Sequence, residues 1–322
     1  MAEIVRLRAP GGVEQFELVT VDLAPPASGE VRLMQTAIGV NFIDIYQRLG
    51  LYALPPERIP GVEAVGIVTT TGEGVMDLKI GDRVTYAGAP VGAYASERNL
   101  PAWRCIKLPE ALSDETVASV FLKGITAEML LNRVCSVGHG TTVLVHSAAG
   151  GLGQLLTRWA SVLGAEVIGT VSSQAKAEIA RAVGARHVIV GRNADLVSAV
   201  ADLTRGRGVD VAYDGVGGTT LQKTLGCVRP FGVVASIGQS GGPIPPIDVN
   251  DLGPRRSLTL ARPSVMAFIA DGEYQRSAAR VLEGLAGGVL QMSGTAYRLR
   301  DVALAHSDLE AGRTTGALYL KP

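Results

Sequence analysis

The sequence predicts an α/β protein in which a doubly wound parallel sheet follows a compact, β-rich first region. From residue 142 onward, apolar runs such as "TVLVHS", "EVIGTV" and "VDVAYDGV" alternate with amphipathic helical patterns. That is the rhythm of a parallel sheet covered on both faces by right-handed crossovers. Before about residue 122, short β-rich runs are instead broken by Gly and Pro pairs, which marks a separate β architecture. The length of 322 residues agrees with two cores, since a single core rarely keeps growing beyond ~250–300 residues.

Taken in order, "VRLMQTAIGV", "EAVGIVTT" and "DRVTYAG" read as strands of the first region. "SDETVASVFLKGITAEMLLNRV" reads as a helix, with Ser113 as its N-cap and acidic residues in its first turn. After the turn "SVGHGTT" come strand "TVLVHS", a helix from about Leu152, strand "EVIGTV", a helix from about Gln174, strand "HVIV" and a helix from about Asp195. Strand "VDVAYDGV", a helix from about Thr219 to Gly226 and strand "GVVASIG" follow. The proline-rich "GGPIPPIDVND" is a loop, "SLTLARPS" resumes a strand, and the helix "DGEYQRSAARVLEGLAGG" precedes a short β tail.

Composition limits the function classes. Thirty basic and thirty acidic residues cancel, so the chain shows no electrostatic footprint for nucleic acid. No apolar run approaches the ~20 residues needed to span a bilayer. Three scattered cysteines, Cys105, Cys135 and Cys227, and an opening "MAEIVRLRAP" without an export pattern fit a reducing cytoplasm.

The candidate chemistry begins at "SAAGGLG", where Gly150, Gly151 and Gly153, flanked by Ala149 and Leu152, join the first strand of the α/β unit to its first helix. Unpaired helix N–H groups and the positive dipole end face outward there, and missing side chains let a pyrophosphate approach. The βαβ setting gives the glycines their meaning as a dinucleotide site. At the end of the second strand, where an NAD site carries an acidic residue, the chain reads "TVSSQAK". Ser172 and Ser173 leave no carboxylate to repel a 2′-phosphate, Lys176 is placed to pair with it, and Arg192 offers a second cation; the cofactor expected is NADPH.

In the first region, "GVEAVGIVTTTGEGVMDLKIGDRV" spans Gly61 to Val84. With the glycine turn, it resembles the medium-chain dehydrogenase/reductase superfamily. "AIGVNFIDIYQRLGLY", "FLKGITA" and "ARPS" are similar to its zinc-free NADPH:quinone oxidoreductase branch, which includes zeta-crystallin. The resemblance implies a GroES-like catalytic domain made of both chain ends, residues 1–122 and 259–322, and a Rossmann NADPH-binding domain of residues 123–258. It implies a homodimer and an acceptor site in the cleft shaped by Asn41, Tyr46 and Tyr52. It also implies cofactor contacts from Lys123, Thr126, Gly215, Gly217, Ile237, Gly238 and Arg262. Relatives place an aromatic residue near Gly191, so the 2′-phosphate pocket here is either more open or dependent on Arg192.

The family's zinc enzymes carry Gly-His-Glu where this chain has "GVE", so Val62 replaces an imidazole, and Asn41 stands in place of a cysteine. Two of the ligands that tetrahedral zinc needs are lost, and the structural four-cysteine cluster is missing, so no metal is expected. Without a Lewis acid the acceptor must already be electrophilic: a quinone, or an enone in the alternative reading. A non-enzymatic role, as RNA binder or crystallin, is the rival of another class. "GQSGG" at residues 238–242 matches the nucleophile-elbow pattern of serine hydrolases, but Pro243, Pro245 and Pro246 argue against the helix that motif requires. His139, His146, His187 and His306 are too dispersed to suggest a metal cluster.

Overall fold

The computed structural model describes residues 1–270 and 272–322 and divides them into two compact units, Met1–Leu122 with Ile269–Pro322, and Lys123–Phe268. The first unit is organised around the strand Glu30–Val40, which pairs antiparallel with Glu63–Thr71 on one side and Ala317–Lys321 on the other, and with Glu97–Pro101 near its start. Register shifts at Arg32/Leu33 and Gln35/Ala37 bend this long strand, which lets one segment serve several partners. Its inward residues Val31, Leu33, Ile38 and Val40 meet Ala64, Val68, Val84, Leu100, Leu318 and Leu320 in a buried core. Segments from before and after the second unit thus complete one sheet, whose strand Gly294–Arg298 pairs parallel with Ala317–Lys321, while Ala2–Leu7 and Phe16–Val21 pair in a two-stranded sheet of their own.

The second unit holds six parallel strands in the spatial order His187–Val190, Glu166–Val171, Thr142–Val145, Val209–Asp214, Val228–Ser236, Thr259–Ala261. From Thr142–Val145 the chain moves outward through two crossovers, then returns to add its remaining strands on the other side. The reversal opens a crevice at the carboxyl ends, where such sheets hold ligands. The intervening helices Gly151–Val162, Gln174–Ala182, Leu196–Leu203 and Thr220–Cys227 start within one or two residues of their expected positions. Asp195 caps the third through a 3.2 Å bond from Ser198 N–H. Ser113 accepts from Thr116 N–H at 3.3 Å to cap Asp114–Glu128, which continues as a π-helical turn over Met129–Val134.

Two expectations are corrected. The strand Thr259–Ala261 pairs with Val228–Ser236, so it belongs to the parallel sheet, and the second boundary lies at 268/269 rather than 258/259. A strand's allegiance follows its hydrogen-bond ladder, which sequence rhythm does not reveal. The tail after helix Tyr274–Ala286 is not purely β: helix Val302–Glu310 separates its two strands. Its buried Val302, Ala305 and His306 fall at helical spacing, a period-3.6 signal too short to stand out beside the flanking strands. The first residue of "DGEYQRSAARVLEGLAGG", Asp271, lies outside the described residues.

The glycine turn depends on one close approach. A Cβ on Gly153 would stand 2.2 Å from the Ser147 carbonyl oxygen and 2.9 Å from the Ala148 Cα, so only glycine lets the helix start this near the strand. Gly153→Ala is expected to cost about 2–3 kcal/mol, read as a lowered unfolding midpoint in urea.

Candidate active site

In the second unit, the expected cofactor residues other than Lys123 and Thr126 follow the carboxyl ends of the parallel strands. Gly150 sits at the N-cap of Gly151–Val162, with Ser147 beside it at φ +53° and exposed. The Gly150 N–H bonds to Ser147 O at 2.8 Å, tightening the turn beneath Ala149, Gly151 and Leu152. The helix N-terminus is left open, as anion binding by backbone donors requires.

At the second strand's end, Ser172 and Ser173 are exposed. The Ser173 hydroxyl accepts from the Lys176 backbone N–H at 3.4 Å and caps Gln174–Ala182, so this serine has a structural task. The Lys176 side chain has its pKa lowered, first by burial and then by the positive charge of Arg192. Two cations therefore face one region, Arg192 exposed and Lys176 half-buried. Gly191, at φ +112°, has open space where a side chain would stand.

Across the reversal point, Asp214 ends its strand fully buried. Its Oδ1 accepts from the Val216 and Gly217 N–H groups at 2.8 and 2.9 Å, and its Oδ2 from the Thr224 hydroxyl at 2.7 Å. His146 bridges Thr170 and Thr224 at 2.9 Å each. Burial lowers its pKa, against the opposing pull of the Asp214 carboxylate 4.0 Å away. The turn so held latches onto the next rim loop: Ser240 N–H and Gly241 N–H donate to Gly215 O and Val216 O at 3.1 and 2.7 Å. A Cβ on Gly217 would meet Gln239 Cα at 2.8 Å. Ile237 N–H bonds Asp214 O at 2.8 Å, ahead of Gly238. Arg262 reaches back to the Ser236 hydroxyl at 2.7 Å. Lys123 and Thr126, three apart on Asp114–Glu128, are half-buried positions in a run otherwise buried and so share one helix face.

In the first unit, Asn41, Tyr46 and Tyr52 come from one segment. Asn41 is the N-cap of helix Phe42–Arg48 and is 7% exposed. Its backbone N–H bonds Asp44 Oδ2 at 2.8 Å, and its side-chain Nδ2 donates to Glu63 Oε1 at 2.8 Å. Glu63 Oε2 accepts the Leu122 N–H at 2.8 Å. A Cβ on Gly39 would lie 2.3 Å from Glu63 Oε1, so this glycine makes room for the carboxylate. One amide hydrogen of Asn41 is thus already committed. Tyr46 is 9% exposed and Tyr52 44%, with their rings edge to face at 5.7 Å.

Asp44 Oδ2 also accepts from the Tyr94 hydroxyl at 3.0 Å, and Tyr94 Oη lies 2.8 Å from His306 Nε2. With the Tyr94 proton on Asp44, His306 is the Nε2–H donor. Sequence reasoning did not single out Asp44, Glu63, Tyr94 or Asp214. Asp44 was findable as the third helical residue after an Asn cap, and Glu63 as the end of "GVE". The other two needed the fold.

Ser240 sits in a turn without a following helix, its hydroxyl donating to Gly215 O at 3.0 Å, which removes the serine-hydrolase pattern. Among the described residues no group of three or more His, Cys, Asp or Glu could hold a metal ion, and no helix is long and apolar enough to cross a membrane.

Two family descriptions match the chain: alcohol dehydrogenase GroES-like domain over residues 27–110 and zinc-binding dehydrogenase over residues 151–283. The chain is 40% identical to 2-haloacrylate reductase of a Burkholderia species, covering 100% of this chain and 99% of that one. It is 39% identical to quinone oxidoreductase 1 of Escherichia coli (strain K12), with both chains covered in full at 100%. The structure of Escherichia coli quinone oxidoreductase complexed with NADPH superposes with a TM-score of 0.96 at 37% identity, covering 99% of this chain and 100% of that one.

The buried histidines set the acid response. Burial, then the charge of Arg48, pushes His306 from 6.5 down to about 3. As pH falls below about 6.5 the unfolded chain takes up a proton that the folded chain refuses, so stability drops by about 1.4 kcal/mol per pH unit through this window and is fully present above it. The lowered His146 acts in the same direction. Urea unfolding at pH 7 and pH 5 is expected to show this loss, and His306→Asn to remove one proton's share of the slope.

Proposed function

Because this chain belongs to the quinone oxidoreductase branch of the medium-chain dehydrogenase/reductase superfamily, we propose that it reduces quinones with NADPH by hydride transfer, without a metal ion. The observation that carries the reading is that Lys176 and Arg192 follow the carboxyl ends of two neighbouring parallel strands, Glu166–Val171 and His187–Val190, with no carboxylate at the second strand's end. Cations following neighbouring strands favour an anion beside them, and a ribose 2′-phosphate is such an anion.

The fit extends along the rim. Gly150, Gly151 and Gly153, with Ala149 and Leu152, would hold the pyrophosphate, and Ser172, Ser173, Lys176 and Arg192 the phosphorylated ribose. Gly215, Gly217, Ile237 and Gly238 would support the middle of the cofactor, and Lys123, Thr126 and Arg262 its remaining polar groups. When bound, NADPH supplies the hydride. Asn41, with its amide plane set by Glu63, orients the acceptor oxygen through its remaining polar capacity. Tyr46 and Tyr52 offer flat apolar faces and phenol hydroxyls. Positioning and water exclusion do the work.

A hydrocarbon at Val62 and an amide at Asn41 form a donor set unsuited to zinc, which supports metal-free reduction of activated acceptors. The similarity to 2-haloacrylate reductase supports a second reading, reduction of a conjugated carbon–carbon double bond on the same scaffold. Three free cysteines support a reducing cytoplasm. The strand Thr259–Ala261 has a neighbour on one side within its sheet, and its other edge supports pairing of two copies as a homodimer.

Assayed with quinones, 2-haloacrylate, enones and alcohols, the protein is expected to oxidise NADPH with quinones after dialysis against EDTA. Lys176→Ala with Arg192→Ala is expected to raise the KM for NADPH about 10–100-fold and leave that for NADH unchanged. Zinc-dependent alcohol oxidation, or an equal rise for NADH, would refute the assignment.

A further inference from the structure

At the amino end of the parallel sheet, opposite the glycine rim, the second unit carries a half-open cavity of about 280 Å³. Helix Leu196–Leu203, the last residues of Thr220–Cys227 and the start of strand Val228–Ser236 form its walls. Val197, Val200, Ala201, Val228 and Pro230 give it an apolar lining, and Arg207, Arg229 and Arg256 a cationic one.

The charge there is unbalanced. Asp210 answers two of the three guanidiniums: its Oδ1 lies 2.5 Å from Arg207 Nη2 and 2.6 Å from Arg229 Nε, and its Oδ2 3.2 Å from Arg207 Nη1. Oδ2 also accepts the Thr142 N–H at 2.7 Å, so four donors already fill this carboxylate. Arg256 makes no ion pair among the described residues; its Nη2 donates to the Val228 carbonyl at 2.5 Å.

Nor are the arginines occupied in capping the helix that ends here. Thr204 N–H bonds Val200 O at 2.9 Å, Gly206 N–H bonds Ala201 O at 2.7 Å, and Gly208 N–H bonds the Thr204 hydroxyl at 2.9 Å. The helix's last carbonyls are met by the turn itself. The surplus guanidinium donors face a cavity just below the usual size range of ligand pockets, which selects a small guest.

We propose that this cavity binds a small amphipathic anion, a carboxylate or phosphate monoester headgroup with a short alkyl chain. Arg229 Nη1 already donates to the Pro230 carbonyl at 2.7 Å, so the headgroup pairs with Arg229 Nη2 and Arg256 Nη1, and the chain lies against Val197, Val200 and Ala201. The site is separate from the dinucleotide rim: Gly208, which lines it, directly precedes the strand Val209–Asp214, whose last residue holds the rim turn at the opposite end.

Calorimetry on the full chain with saturating NADPH present tests this, using hexanoate, hexyl phosphate, hexanol and inorganic phosphate. Hexanoate or hexyl phosphate is expected to bind, whichever is tighter naming the headgroup, with affinity lowered at least tenfold by Arg256→Met and abolished by Ala201→Phe, which fills the cavity. Both variants are expected to keep the NADPH oxidation rate of the parent chain, so failure here is separable from failure of the proposed reductase activity. Hexanol binding as tightly as hexanoate would remove the charge argument, inorganic phosphate binding as tightly would remove the apolar one, and no binding by either amphiphile, or binding unaffected by both variants, would overturn the site.

Discussion

The contact between Gly153 and the Ser147–Ala148 backbone is the constraint on which the rest of the second unit depends. Because the helix lies against the strand end with no side chain between them, its first turn is aimed out of the sheet, and its unpaired N–H groups face the crevice. The neighbouring rim loops are then fixed by other means. Asp214 gathers the Val216 and Gly217 amides, and the resulting turn is laced to residues 240 and 241. The rim loops are thus tied down by their own hydrogen bonds before any ligand arrives, and a preorganised site loses little on binding.

The first unit uses buried carboxylates in a comparable way. Asp44 secures the backbone of Asn41 and Glu63 secures its side chain, so the amide presents one orientation rather than several. Such a group can direct an acceptor already inclined to accept a hydride, but it cannot polarise an inert ketone as a divalent ion would. The same logic explains why Gly39 is glycine: the site needs the Glu63 carboxylate where a Cβ would otherwise stand.

The parts legible in the sequence were those governed by local rules. Strand and helix alternation came through because apolar periodicity reports burial, and the cap at Ser113 came through because side-chain chemistry is local. The glycine turn was legible because its position between a strand and a helix gives it meaning. What escaped depends on long-range pairing. Nothing in "SLTL" tells that it joins the parallel sheet, and nothing near Tyr94 tells that it meets Asp44 and His306 from distant segments. Glu63 was in view within its motif, yet its role required knowing that residue 41 lies across the sheet from it.

The interleaving of the two chain ends bears on how the protein is made. Ala317–Lys321 is an inner strand, lying between Gly294–Arg298 and Glu30–Val40. During synthesis the parallel-sheet unit has all its strands once residue 261 has emerged, whereas the earlier β region must wait for residues 317–321 before its sheet can close. The middle of the chain can therefore fold before the part that precedes it. Loss of Ala317–Lys321 would leave the strand bearing Val40, next to Asn41, with an open flank.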